Sequence, residues 1–146
     1  MARQCVGIAL GKSELDVHVL MRKKINSETA IELRFLEALA VRSPDDIRIL
    51  QALAELYTQT GRFKEGLEAD LRLSRLSPLD GAVWYNLACS HALTGSADDA
   101  FAALEKAVRL GYDEYEWMQE DGDLESLRSD PRFKAILSRM KTPARP

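Results

Sequence analysis

Apolar and small residues recur with a helical period in the second half of the chain. Two sets of them follow spacings of three and four on either side of Gly95: Trp84, Leu87, Ala88 and His91, then Ala100, Leu104, Ala107 and Leu110. Residues at these spacings share one face of a helix. The pattern therefore predicts two amphipathic helices joined by a glycine turn.

The same pattern occurs earlier in the chain. Pro44 and Pro78 are 34 residues apart, and this shift aligns Leu50 with Trp84, Leu53 with Leu87, Ala54 with Ala88, Gly61 with Gly95, Leu73 with Ala107 and Leu76 with Leu110. A fixed period of this length is typical of stacked repeats, in which each unit contacts its neighbours. We predict one repeat at 44–77 and another at 78–111.

These repeats resemble the tetratricopeptide repeat (TPR) family. The residues that carry the resemblance are Trp84, Leu87, Ala88, Gly95, Ala100, Leu104 and Ala107, and in the earlier copy Leu50, Leu53, Ala54, Tyr57, Gly61, Leu73 and Pro78. His91 and Tyr112 replace an aromatic residue and a proline of the family's pattern, and Gly66 and Asp70 weaken the second helix of the earlier copy. The resemblance implies an all-α fold, a short right-handed α-solenoid of antiparallel helix pairs.

Segments on either side extend the predicted repeat domain to 25–141. Residues 25–43 resemble the second helix of a partial repeat, with Ser27 as its N-cap and an apolar face of Ile31, Phe35, Leu36, Leu39 and Ala40. Residues 112–141 resemble the capping segment of bacterial members. Asp130 caps its last helix, Pro131 opens it, and the side chains expected to face inward are Phe133, Ile136, Leu137 and Met140. Residues 142–146 form a tail.

The leader, residues 1–24, has a different pattern. Apolar residues alternate with period two around "GKSE": Val6, Ile8 and Leu10, then Leu15, Val17, Val19 and Met21. This alternation favours a small β-hairpin, while a distorted helix over 15–23 or a disordered leader stays open. The stretch also resembles the first hairpin of RNase H-like transposases, with Ala9 in place of a metal-binding aspartate. That resemblance implies a remnant module without its catalytic site.

Composition and charge indicate an ordinary globular protein. Of 146 residues, 46% are hydrophobic and 29% charged, and the net charge is −3. This charge argues against general attraction to nucleic acid or an anionic membrane. Cys5 and Cys89 show no metal-ligand spacing, and no apolar run reaches the length of a membrane span. We therefore expect a cytoplasmic protein.

Motifs that could carry catalysis are incomplete. The "GKS" at Gly11–Ser13 lacks the first glycine of a phosphate loop, because position 6 is Val and Gly7 is one residue too close to Gly11. The acidic "DGDLE" has Ser126 and Arg132 where a calcium loop requires glycine and glutamate. His18 and His91 have no catalytic partners at a suggestive spacing. We expect no enzyme activity, no metal and no cofactor.

Stacked helix pairs leave a concave surface lined by the first helix of each pair, which suits a peptide or a helix of a partner protein. The register places these groove candidates there: Arg48, Gln51, Ala52, Glu55 and Gln59 in the first repeat, and Ala82, Tyr85, Asn86, Cys89 and Leu93 in the second. The sequence thus predicts a protein-binding scaffold, as a monomer or weak homo-oligomer. The alternatives are a module attached to a nucleic-acid enzyme and a self-assembling repeat domain.

Overall fold

The computed structural model describes the backbone of residues 12–141 and the side chains of residues 26–141. Every regular element in this part of the chain is helical. The elements in order are α1 (Lys12–Arg42), α2 (Ile47–Gln59), α3 (Phe63–Leu76), α4 (Gly81–Leu93), α5 (Ala97–Arg109), α6 (Tyr115–Glu120), a 3₁₀ helix termed η1 (Gly122–Leu127) and α7 (Pro131–Lys141).

The helices α2 and α4 begin and end in the same way. An aspartate caps each N-terminus: Asp46 accepts from the backbone N–H of Arg48 at 2.9 Å, and Asp80 from that of Ala82 at 2.9 Å. A glycine follows each C-terminus with positive φ, 74° at Gly61 and 82° at Gly95. Both helices have 13 residues. The segments that start at Pro44 and Pro78 therefore share their local structure.

Consecutive helices from α1 to α5 pack against one another in chain order, η1 packs on α4, and α7 packs on α5 and α6. The largest cluster of buried side chains joins α4 and α5 to the C-terminal segment, and its fully buried members include Ala88, Ala100, Leu104, Ala107, Met118 and Leu124. A second cluster joins α2 to α3 and α4 through Leu50, Leu73 and Val83. The third, around Leu33, Leu53 and Leu56, joins α1 to α2. The predicted all-α arrangement of adjacent helix pairs is confirmed.

The predicted hairpin in the leader is wrong where the structure describes it. The expected second strand, residues 15–21, belongs to α1, while the expected first strand, residues 6–10, lies outside the described residues, as do most of the possible disordered leader and the tail 142–146. Valines at 17 and 19 cost a helix only a few tenths of a kcal/mol each. Neither Gly nor Pro lies between Gly11 and Pro44 to interrupt it.

Helix α1 also corrects the expected start of the partial repeat. Ser27 lies inside α1 and is not an N-cap, because the helix continues across residue 25 without a break. Leu36 and Ala40 pack toward α2 as expected, beside the buried Leu33. Ile31 and Phe35, predicted to face inward, are 65% and 62% exposed. The described residues contain no helix that covers this side of α1.

The C-terminal segment covers the other end of the stack. Asp130 accepts a hydrogen bond from the backbone N–H of Arg132 at 2.9 Å, so it caps α7, whose first residue is Pro131. Phe133 and Ile136 are buried, and Leu137 and Met140 are partly buried against the largest cluster. Two ion pairs connect α7 to α5: Arg132 with Asp98 at 2.7 Å and Arg139 with Glu105 at 3.3 Å.

One buried position breaks the repeat's apolar pattern. Asp70 in α3 occupies the repeat position that corresponds to the fully buried Leu104 in α5, and it is only 4% exposed. The hydroxyl of Ser90 in α4 donates a hydrogen bond to its carboxylate at 2.5 Å. Helix α3 still forms, because Leu73 and Ala69 on the same helix bury their side chains in the second cluster.

Candidate functional site

The surface that could bind a partner is built on α2 and α4, the first helices of the two pairs. One side of α2 is buried through Leu50, Leu53 and Leu56, and one side of α4 through Val83 and Leu87. We call the exposed residues at the predicted groove positions the α2–α4 face: Arg48, Gln51, Glu55, Gln59, Ala82 and Asn86. Ala52 and Leu93, the other groove candidates, are half-buried.

The α2–α4 face is polar and carries both signs of charge. Gln59 donates a side-chain hydrogen bond to Glu55 at 3.0 Å, which orients both groups one turn apart. The guanidinium of Arg48 lies 3.3 Å from the Asp46 carboxylate. That hydrogen bond and the backbone N–H of Ile49 lower the pKa of Asp46, so this N-cap stays ionised at neutral pH. The face therefore offers amide, carboxylate and guanidinium groups for hydrogen bonding.

Two of the predicted groove residues lie beneath the surface. Tyr85 is 3% exposed and Cys89 is 8% exposed. The Tyr85 hydroxyl donates to the Asp121 carboxylate at 2.6 Å, and its ring stacks on that of Tyr112 with centroids 4.3 Å apart. Cys89 lies 3.8 Å from the same carboxylate oxygen. The C-terminal segment thus covers the part of α4 where the sequence suggested an exposed aromatic anchor.

Burial also determines the ionisation of these two side chains. It raises the pKa of Tyr85 far above its usual range, and the pKa of the Cys89 thiol is also raised well above its usual range, first by burial and then by the carboxylates of Asp121 and Asp123. A reactive cysteine needs the opposite setting, exposed and electropositive. Cys89 is therefore a packed thiol.

Asp121 organises this part of the molecule, although the sequence indicated only that it belongs to an incomplete calcium loop. Its carboxylate accepts from the backbone N–H of Asp123 at 3.0 Å, which caps η1, and its carbonyl accepts from Arg128 at 2.9 Å. With the bond from Tyr85, these contacts tie α4 to η1. The available signal was an aspartate three residues before Leu124 and six before Leu127, which is typical of an N-cap but does not reveal a partner 36 residues earlier.

The remaining chemistry-bearing residues do not assemble a reactive centre in the described part of the chain. No group of three or more His, Cys, Asp and Glu side chains there could hold a metal ion. His91 is half-buried at its aromatic packing position, and its Nδ1 is buried without a hydrogen-bond partner among the described residues. Arg62 lines an open cleft between the α2–α3 turn and the end of α4, but it is paired with Glu37 and Glu65. Nor is any described helix both long and apolar enough to cross a bilayer.

Comparison with known proteins identifies the kind of fold. No family model matches this sequence. The structure is similar to that of a TPR-containing protein, MamA MSR-1 C2, with a TM-score of 0.62 and 17% sequence identity over 80% of this chain and 69% of that one. The chain accordingly has a TPR-like all-α fold.

Comparison of the amino-acid sequence with those of known proteins finds a relative. The chain is 30% identical over 84 residues to a chloroplastic protein of Arabidopsis thaliana. The match takes in 56% of this chain and 25% of that protein, so the chain corresponds to about a quarter of its length.

Proposed function

We propose that this chain is a non-enzymatic protein-interaction module that binds a segment of a partner protein on the α2–α4 face. The observation that carries the proposal is the exposure of Arg48, Gln51, Glu55, Gln59 and Asn86, at the positions predicted to line a groove, on two helices that are otherwise packed. The TPR-like fold supports a scaffold role, because stacked helix pairs present such surfaces to peptides and helices. The units of this scaffold are 44–77 and 78–111, with 112–141 as a cap.

The face favours a partner segment rich in hydrogen-bonding groups. Gln51 and Asn86 each offer a donor and an acceptor, which can pair with the backbone of an extended peptide. Glu55 and Arg48 lie two turns apart on α2 and attract opposite charges. Because no large exposed aromatic side chain lies at the predicted positions, we expect weak binding, with a dissociation constant in the micromolar range, about 8 kcal/mol.

The test compares exposed residues on and off the α2–α4 face. Partners captured from the native cell by the wild-type chain would be quantified by mass spectrometry and compared with those captured by a Gln51→Ala/Asn86→Ala variant. We expect the variant to lose specific partners while its thermal midpoint stays unchanged, because both side chains are exposed. Tyr85→Ala is unsuitable, since the buried ring supports the cap.

A matched control is Glu68→Ala/Arg75→Ala, which removes two exposed side chains from α3. It should retain every partner that the wild type captures. If both variants lost the same partner proteins, or if neither variant lost any, binding at the α2–α4 face would be contradicted. A purified partner segment should then show saturable binding by calorimetry, weakened about tenfold by the α2–α4 substitutions.

A further inference from the structure

The outer side of α1 carries an apolar stripe at its centre. Phe35 and Ile31 lie one turn apart and are 62% and 65% exposed. The helical period places Ala38 and Leu39 on the same stripe, one turn beyond Phe35. Helix α1 packs on α2 through its opposite side, around Leu33. Removing this apolar surface from water is favourable, so the stripe is a site where association with another molecule is favoured.

Charges flank the stripe in a symmetric arrangement. Glu28 lies seven residues before Phe35 and Arg42 seven residues after it, and both are exposed. A seven-residue step is two helical turns, so both fall on the stripe that contains Phe35. If two copies of α1 pair antiparallel about Phe35, Glu28 of each copy meets Arg42 of the other, and Ile31 meets Leu39. A stripe that is complementary to its own reverse is what a twofold dimer requires.

We propose that this side of α1, residues 28–42, is a homodimerisation surface on which a second copy of the chain binds antiparallel. The proposal does not rest on partner binding at the α2–α4 face, which lies on other helices. The paired stretch is only about 21 Å long, which gives an interface at the small end of the range for specific complexes. We expect a dissociation constant of roughly 10–100 μM.

Sedimentation velocity over a dilution series, from about 1 to about 500 μM, tests the proposal. The wild-type chain should pass from monomer to dimer. Phe35→Glu should weaken association at least about tenfold, because it buries a charge at the symmetry axis. Val41→Glu is the matched control: Val41 is on the same helix and is 83% exposed, but lies off the stripe. It should leave association unchanged.

A charge swap distinguishes a second copy from other occupants. Glu28→Arg and Arg42→Glu should each weaken dimerisation, since each sets like charges opposite each other twice, and the double variant should restore it. A wild type that stays monomeric throughout, or a double variant no better than the single ones, would overturn the proposal. A monomer that loses thermal stability on Phe35→Glu would instead show that its own chain covers the stripe. Circular dichroism of each variant verifies that the fold is retained.

Discussion

At the residue scale, Asp70 is a carboxylate buried inside the stack of helices, 4% exposed. Burial raises its pKa to about 6 from 3.8, and the hydrogen bond from Ser90 offsets part of that rise. The folded protein therefore holds this proton more tightly than the unfolded chain does. Between about pH 4 and pH 6, stability falls as pH rises, and above pH 6 the charged carboxylate opposes folding by its full amount. Asp70 is thus a local source of instability at neutral pH.

Replacing this carboxylate by a neutral isostere should stabilise the protein. Asp70→Asn keeps an oxygen to accept from Ser90 and removes the buried charge, so at pH 7.5 we expect the free energy of unfolding to rise by on the order of 2–3 kcal/mol. At pH 4 the gain should nearly vanish, because Asp70 is then mostly protonated in the folded protein. Urea unfolding of the variant and the wild type at pH 7.5 and at pH 4 measures the gain in the free energy of unfolding at each pH. Glu68→Gln, an exposed carboxyl on the same helix, is the control, and an equal gain at both pH values would contradict this explanation.

At the element scale, two glycines of the repeats have opposite roles. Gly95 follows the end of α4 with φ of 82°, a conformation that an L-residue adopts only with strain. Gly66 lies inside α3 with helical backbone, and an added Cβ would meet the side chains of Thr58 and Tyr57 at 3.5–3.6 Å, an ordinary contact distance. The first glycine is needed for the turn, whereas the second only weakens its helix.

These roles predict stability changes of opposite sign. Gly95→Ala should lower the free energy of unfolding by about 1 kcal/mol, and Gly66→Ala should raise it by about 1 kcal/mol. Equilibrium urea unfolding of both variants beside the wild type measures the difference. If both substitutions changed the free energy of unfolding in the same direction, the opposite roles of Gly95 and Gly66 would be contradicted.

The sequence predicted elements best where the repeat could be compared with itself. The shift of 34 residues located α2 to α5, since Pro44 and Pro78 and then Gly61 and Gly95 recur in step, and the structure adds the N-caps Asp46 and Asp80 at the same interval. It was wrong for residues 15–21, where no second copy was available and valines suggested a strand, whereas the helix predicted over 25–43 is present as part of α1. It also failed at Tyr85, because the spacing of residues along α4 does not show which distant segment covers it. The residues that cover it are Asp121, which accepts its hydrogen bond, and Tyr112, on which its ring stacks, and the fold of the C-terminal segment brings Asp121 there.

At the scale of the whole molecule, the side chains of residues 26–141 bury apolar surface unevenly. The largest cluster lies at the C-terminal end, around Leu104, Met118 and Ile136. Among the residues with described side chains, the N-terminal cluster has three buried members, Leu33, Leu53 and Leu56, and Ile31 and Phe35 on the outer side of α1 are exposed. In a stack where each unit contacts its neighbours, local stability follows local burial.

Hydrogen exchange should reveal this gradient. Amides in α4 and α5 should be protected longest, those in α2 and α3 less, and those in α1 least, as measured by exchange and mass spectrometry at low protein concentration. At concentrations where the proposed dimer forms, protection of α1 should increase in the wild type but not in Phe35→Glu. Uniform protection along all helices would mean that the stack unfolds as one cooperative unit.

The two ion pairs between α5 and α7 have a consequence for how such a chain evolves. Each joins residues 34 positions apart, Asp98 with Arg132 and Glu105 with Arg139, which is the interval of the repeat itself. Helix α7 therefore packs on α5 with its residues one repeat length further along the chain, as the second helix of a further unit would. This arrangement is what a diverged third copy of the repeat in the C-terminal segment would give. A gene organised in this way can lengthen by in-frame duplication of its inner copy, with the two existing ends retained.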